Sequence, residues 1–233
     1  MIRNIQPGTA VFLQVRLDSS RLPRKALLDL QGKPVIQHAM EALKEVPVEV
    51  YALLTDADSK DELIPFADQS GFDVFTGPKN DVLERYALAA ERYKVHTIIR
   101  ATGDNPLVSG RCGGDILDLH LHAEADYSGF VGLPLGTGVE CIRTGALMQS
   151  RTQAQKPYDR EHVCPFLYNH PKLFRIYRPG APAECCASEL KVTLDTRDDY
   201  ERIRQIFDDL YEGVPINTER LINYTRHRCS VTG

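Results

Sequence analysis

The sequence predicts an α/β fold: one domain built on a doubly wound, mostly parallel sheet, with a small insertion subdomain. Three observations lead there. Residues 10–15 (AVFLQV) form a short apolar run with little alternation, the pattern of a strand buried on both faces. Strand-like and helix-like segments then alternate along the chain, which implies parallel pairing through crossover helices. The loop leaving the first strand, Arg16-Leu17-Asp18-Ser19-Ser20-Arg21-Leu22-Pro23-Arg24-Lys25, gathers four cations where open α/β sheets hold ligands.

The elements follow in order. Pro34 opens a helix whose apolar face carries Ile36, Ala39, Met40 and Leu43. Residues 48–54 (VEVYALL) read as a second strand. Ser59-Lys60-Asp61-Glu62 has the spacing of a capping box, starting a helix that stops at Gly71. A brief strand at 73–75 precedes a helix capped by Asn80 or Asp81, with Leu83, Tyr86, Ala87 and Ala90 inward. Residues 97–101 (TIIRA) form another buried strand, leading into Thr102-Gly103-Asp104-Asn105-Pro106. Residues 116–125 read as helix, and 126–128 as the start of a strand.

From about 130 to 182 the texture changes, with more Gly and Pro around a strand (138–142) and helices (145–155 and 160–169). No linker separates this stretch, so it reads as an insertion on the sheet. The chain returns to a strand at 190–194 (LKVTL), ending in Asp195. Thr196 then caps an amphipathic helix with Tyr200, Ile203, Ile206, Phe207 and Leu210 on one side.

Composition bounds the partners. A chain of 233 residues, 42% apolar, can bury one substantial core. Its 28 Lys and Arg against 32 Asp and Glu give a formal charge of −4, which argues against nucleic-acid or membrane-surface binding. No run approaches the roughly 18 to 20 apolar residues of a membrane span, and the first residues carry no signal-peptide pattern. Cys112, Cys141, Cys164, Cys185, Cys186 and Cys229 show no C-x-x-C or framework spacing, so reduced thiols and a cytoplasmic location are expected.

Within that acidic chain, Arg16, Arg21, Arg24 and Lys25 have only Asp18 as an acidic neighbour, and Pro23 stiffens the backbone between them. Arg offers a planar fork to phosphate oxygens and Lys a compact point charge, so the loop is suited to a polyphosphate. Asp104 and Asp195 each follow a strand and should emerge at the same carboxyl edge. Paired carboxylates at a phosphate site suit Mg²⁺, although an N-cap or turn role is the stronger reading of each Asp alone. His120 and His122 stand two apart on a helix and cannot share a face. His38, His96 and His170 stand alone.

The run VFLQVRLDSSRLPRKALLDLQGKPVIQHAMEAL resembles the opening of the CTP-dependent sugar-acid cytidylyltransferases, which activate acylneuraminate and 3-deoxy-manno-octulosonate. It is most similar to the spore coat polysaccharide biosynthesis protein F branch. Gln14, Arg16, Ser19, Arg21, Leu22, Pro23 and Lys25 meet that branch's pattern. Asp81-Val82-Leu83-Glu84-Arg85-Tyr86, Thr102-Gly103-Asp104-Asn105-Pro106-Leu107, Arg160-Glu161-His162-Val163 and Leu194-Asp195-Thr196 follow in the family's order.

The resemblance implies a Rossmann-like nucleotidyltransferase fold and transfer of CMP from CTP to an acidic sugar or related precursor. It implies that Arg16, Arg21 and Lys25 hold the triphosphate and serve catalysis, with Gln14 and Ser19 also at the nucleotide. Asn80 and Asp81 fall where the family binds cytidine. Asp104 and Asp195 would coordinate magnesium. Glu140, Arg160, Glu161 and His162 fall in the insertion, which in the family helps form the acceptor pocket and a homodimer contact. Four positions depart from the family pattern: Val15 replaces Ala, Arg24 replaces Gly, and Ser109 and Gly138 each replace Asp. The last two put the acceptor in question.

Two alternatives stay open on sequence. Asp56-Ala57-Asp58 has the Asp-x-Asp pattern of nucleotide-sugar-dependent glycosyltransferases, and a non-catalytic relative would keep the fold.

Overall fold

The computed structural model describes residues 4–231; the termini beyond them and the side chains of residues 229–231, Cys229 among them, lie outside the described residues. Strand β1 (Gln6–Gln14) leads into the basic loop and a hairpin, β2 (Asp29–Leu30) with β3 (Lys33–Pro34). Helix α1 (Val35–Leu43) starts directly after Pro34, whose fixed φ and missing N–H suit a helix start. Strand β4 (Val48–Thr55), helix α2 (Lys60–Ser70), strand β5 (Asp73–Thr76), helix α3 (Val82–Tyr93) and strand β6 (Thr97–Thr102) complete the alternating half. The rest comprises α4 (Gly110–His122), β7 (Tyr127–Ser128), β8 (Glu140–Arg143), α5 (Thr144–Gln153), α6 (Pro157–His162), α7 (Pro165–Tyr168), β9 (Ile176–Tyr177), α8 (Arg197–Leu210) and α9 (Thr218–Val231).

The main sheet has seven strands in the order β5-β4-β1-β6-β8-β7-β9. Its first four strands pair in parallel, and β8 pairs antiparallel with β6 and with β7. The chain moves outward from β1 through β4 to β5, then returns to the other side of β1 with β6. This reversal puts a crevice between the carboxyl ends of β1 and β6, the usual ligand position in such sheets. Gln14 and Thr102 are register partners there.

Burial explains the strand pattern. Val11, Leu13, Ile99 and Ala101 face α1, α2 and α4, whereas Ala10, Phe12 and Ile98 face α3, α5 and α7. With both faces covered, β1 reads as continuous apolar sequence instead of alternating. Among the described residues no helix is long and apolar enough to cross a membrane.

The structure corrects several expectations. Residues 190–194 form no strand of the main sheet. They make only a parallel bridge, Leu135 with Lys191, and Val192 and Leu194 bury themselves in a third cluster with Leu30, Val35, Ile203 and Phe207. The alternating apolar residues that suggested a sheet strand are covered by α8 and the hairpin. The stretch 130–182 is woven into the molecule: β8 lies inside the sheet, while α5 and α7 cover one face. The helix expected at 160–169 is split at Val163, a fully buried residue with φ 70° and ψ −58°. The Cys164 N–H there donates to the His162 carbonyl at 2.8 Å, forming a γ-turn of the rare positive-φ kind.

Candidate active site

The basic loop is held at its base before it presents any charge. Leu17 is buried, its N–H donates to the Ser59 hydroxyl at 3.1 Å, and its carbonyl accepts from the Arg24 N–H at 3.1 Å. The Ser59 hydroxyl therefore makes no capping bond to α2, contrary to the capping-box expectation. Asp56 accepts the Ser59 N–H at 2.9 Å and is buried, while Asp58 is exposed and pairs with Lys79. The Asp-x-Asp pattern is thus a turn that braces the loop. A nucleotide-sugar glycosyltransferase reading loses the feature that suggested it.

Arg24 adopts φ 58°, ψ 25°, a left-handed conformation that favours glycine. The family's Gly at this position has that physical reason. From Arg24 a single 3₁₀ turn, Lys25–Leu27, sends Lys25 inward. On the opposite side, β6 ends at Thr102, and Gly103 lets its backbone close on β1. The Gly103 N–H donates to the Gln14 carbonyl at 2.8 Å, and a Cβ here would sit 2.3 Å from Ile36 Cδ1 and 3.0 Å from Val15 Cβ. Asp104 follows at once.

Lys25 and the two distant aspartates converge. Lys25 Nζ lies 2.6 Å from Asp104 Oδ2 and 3.5 Å from Asp195 Oδ1, and it donates to the Leu194 carbonyl at 2.6 Å. Arg21 reaches Asp195 Oδ1 at 2.9 Å. Burial pushes the Asp195 carboxyl up, but Lys25, the Thr193 hydroxyl and Arg21 outweigh it and hold the group below the usual carboxylate range. Asp195 reaches this point by an extended segment that α8 holds in place. The Thr196 hydroxyl accepts the Asp199 N–H and the Asp199 carboxylate accepts the Thr196 N–H, a complete capping box.

These groups line a cavity of ≈ 470 Å³ at the β1/β6 crevice, within the range for a small-molecule site. Gln14, Arg16, Ser19, Arg21, Lys25, Asp104, Glu161, His162 and Asp195 all face it. Arg16 is held between Asp18 at 3.4 Å and Glu161 at 3.3 Å. A larger cleft of ≈ 580 Å³ lies elsewhere, lined by His120, Asp126, Arg143 and Arg175. Asp126 is consumed there by the Arg143 guanidinium and the Arg175 N–H, leaving no comparable set of groups.

Other expected residues sit apart from the cavity. The Asp81 carboxylate caps α3 by accepting the Glu84 N–H at 3.0 Å and pairs with Arg160 at 2.5 Å. Neither Asp81, Arg160 nor Asn80 lines the cavity. Glu140 stands behind the wall, bound to Arg100 at 2.5 Å and accepting the Tyr127 hydroxyl at 2.7 Å. Ser109 is a buried N-cap of α4, its hydroxyl accepting the Cys112 N–H at 3.3 Å. An Asp would cap equally well here. Gly138 does not line the cavity either.

Among the lining residues that sequence reasoning did not assign to the site are Arg85, Arg100 and Thr193. Arg100 carried a signal: a charge within the apolar run TIIRA has to be paired, and here it meets Gln14 at 3.2 Å and Glu140, its register partner on β8.

A doubly wound sheet with cations and paired carboxylates at its switch point is suited to binding a nucleotide. The chain belongs to the cytidylyltransferase family, which it matches over residues 10–220. It is 30% identical over 218 residues to the spore coat polysaccharide biosynthesis protein SpsF of Bacillus subtilis, covering 91% of each chain. It is 35% identical over 102 residues to a 3-deoxy-manno-octulosonate cytidylyltransferase of Anaeromyxobacter, covering 42% of this chain and 41% of that one. A cytidylyltransferase structure from Leptospira borgpetersenii superposes with a TM-score of 0.87 at 25% identity, covering 96% of both chains. CMP:2-keto-3-deoxy-manno-octonic acid synthetase complexed with CTP shares the fold, with a TM-score of 0.66 at 18% identity over 86% of this chain and 98% of that one.

Proposed function

We propose that the protein transfers CMP from CTP to a hydroxyl of an acidic sugar or related surface-polysaccharide precursor, releasing pyrophosphate. The observation that carries this reading is the meeting of Lys25 with Asp104 and Asp195 in a cavity that Arg16 and Arg21 also line. Lys25, Arg21, Asp104 and Asp195, from three distant parts of the chain, neutralise one another there, an arrangement ready to exchange partners with a metal-bound polyphosphate.

The donor set fits magnesium: two partly exposed carboxylates sharing one cation, with room for water and phosphate oxygens. Asp104 and Asp195 would hold it, and when bound it supplies charge stabilisation to the phosphates. Lys25, Arg16 and Arg21 bind the triphosphate, and Ser19 adds a donor. The acceptor oxygen attacks the α-phosphorus in line, its bond to phosphorus forms as the bond to the pyrophosphate oxygen breaks, and one proton is released. The cationic loop stabilises charge growing on the leaving pyrophosphate, so the protein's contribution is placement and electrostatics. Glu161 and His162 face the same cavity, which supports a role for them at the acceptor. The protein acts as a homodimer through the 130–182 stretch, a reading supported by the exposed Val131, Leu135 and Leu173.

The test is a pyrophosphate-release screen pairing each nucleoside triphosphate with 3-deoxy-octulosonate, nonulosonates and related acids, alongside thermal melts with CTP and with UDP-sugars. Release with CTP and protection by CTP are expected. Protection by UDP-sugars without any by CTP overturns the reading.

A further inference from the structure

Gln14 and Arg100 line the cavity from neighbouring strands, and both belong to a hydrogen-bonded row that crosses the sheet. Arg100 Nε donates to Gln14 Oε1 at 3.2 Å, and its Nη1 donates to Glu140 Oε2 at 2.5 Å. The Tyr127 hydroxyl donates to the other Glu140 oxygen, Oε1, at 2.7 Å. One residue comes from each of four strands lying side by side, β1, β6, β8 and β7. Arg100 and Glu140 are register partners. Gln14 stands two positions beyond Phe12, the partner of Arg100 on β1, and so projects from the same face.

The chemistry of the row has a direction. Tyr127 is buried, and burial with Glu140 beside it pushes the phenol pKa up, so the hydroxyl stays a donor. Both oxygens of Glu140 are taken and the residue does not line the cavity, so it holds Arg100 and meets no ligand. A guanidinium has donors only, so Gln14 has to turn its carboxamide oxygen toward Arg100. The Gln14 amide nitrogen has no hydrogen-bond partner among the described residues. What this carboxamide keeps for a ligand is therefore an N–H donor. A glutamine without such a neighbour would offer its oxygen as readily.

We propose that Arg100, held by Glu140 and Tyr127, is a positioning residue that acts through Gln14, making it a hydrogen-bond donor to an oxygen of bound CTP. This role rests on the CTP reading above. The placement supports it: Gln14 lies two residues before Arg16 of the cationic loop, and its register partner Thr102 lies two before Asp104.

The test titrates CTP with magnesium by calorimetry into four proteins. They are the native chain, Gln14→Met, the neutral pair Arg100→Met with Glu140→Gln, and the triple variant combining all three changes. Removing both charges of the pair together leaves no buried carboxylate unpaired. Gln14→Met should weaken CTP binding by about 2- to 12-fold, the range of one hydrogen bond. The neutral pair should weaken it by about two- to tenfold, because a loosened carboxamide must be ordered on binding. The triple variant should bind within about twofold of Gln14→Met, since the row acts only through Gln14. In the native protein the Gln14 side-chain amide resonances, assigned by their loss in Gln14→Met, should shift on saturation with CTP.

A row that serves stability alone would lower the melting temperature of the neutral pair and leave its CTP affinity native, which overturns the proposal. Losses that multiply in the triple variant overturn it too, because Arg100 or Glu140 would then touch the nucleotide itself. Should the neutral pair fail to fold, the resonances decide: unmoved Gln14 amide signals sink the proposal. CTP binding that is indifferent to Gln14→Met sinks this assignment alone, whereas a native protein that binds no CTP sinks the function reading and the assignment together.

Discussion

Lys25 and Asp104 meet at 2.6 Å across the β1/β6 crevice, and the same ammonium reaches Asp195 at 3.5 Å. A lysine placed between two carboxylates occupies the position a divalent cation would contest. Lys25→Met should therefore have two separable effects. Pyrophosphate release should fall by about a hundredfold, as expected when a charge partner of the transition state is removed. Magnesium chloride should raise the melting temperature of the variant more than that of the native protein, because the carboxylate pair has lost its resident cation. Melts with magnesium and with a chelator check this; equal responses would mean that the carboxylates and Lys25 do not compete.

Arg16 is engaged by Glu161 at 3.3 Å, with both side chains about half exposed. A triphosphate must displace this contact before it can use the arginine. Exposed pairs of this kind contribute about 0.2–1 kcal/mol. Glu161→Gln should thus tighten CTP binding by about 1.4- to fivefold at low salt, with the gain shrinking as ionic strength rises. Calorimetry at two salt concentrations is the check, and weaker binding in the variant would place Glu161 on the nucleotide instead.

The parallel half of the sheet was legible because apolar runs such as residues 10–15 have one explanation when both sheet faces are covered. The convergence of Lys25, Asp104 and Asp195 was expected because each Asp was read as following a sheet strand; that ground holds for Asp104 after β6, whereas Asp195 arrives from an extended segment outside the sheet. The supposed strand before Asp195 did not follow, since burial under α8 and burial within a sheet leave the same alternating Val192 and Leu194. The break at Val163 was illegible: nothing in Glu-His-Val-Cys marks a positive φ, which tertiary packing imposes on a β-branched residue. Arg85 was hidden for a different reason. Its charge reads as a helix-surface residue in Val-Leu-Glu-Arg-Tyr, and only the fold shows that the surface is the wall of a cavity.

Arg24 holds φ 58° while its guanidinium pairs with the exposed Glu62. Glycine reaches that backbone region without the Cβ clash, whereas other residues pay about 1 kcal/mol. The exposed ion pair returns less than this. Arg24→Gly should leave the protein equally stable or more stable by about 0.5–1 kcal/mol, with nucleotide binding unchanged. Chemical denaturation measures the first and calorimetry the second; a loss above about 1 kcal/mol would show that the Glu62 contact anchors the loop.

His120 links the fold to pH. It is 2% exposed, its Nδ1 lies 2.8 Å from the Ser128 hydroxyl, and burial lowers its pKa to about 4, with Asp126 opposing and Arg143 assisting. In the unfolded chain an imidazole titrates near about 6.5. Between those values the unfolded state binds the extra proton, so stability is complete above about pH 6.5 and falls as the pH drops toward 4. The loss attributable to His120 approaches about 3 kcal/mol at the lower limit. His38, also depressed by burial and bonded through Nε2 to the Leu30 carbonyl at 2.8 Å, acts in the same direction. His120→Gln keeps a polar partner for Ser128 and removes one titration. Its unfolding free energy should therefore vary less steeply between pH 6.5 and 4 than that of the native protein, with the residual slope coming partly from His38. Denaturant melts at half-unit pH intervals give the comparison, and parallel curves for the two proteins would show that His120 does not carry the acid sensitivity.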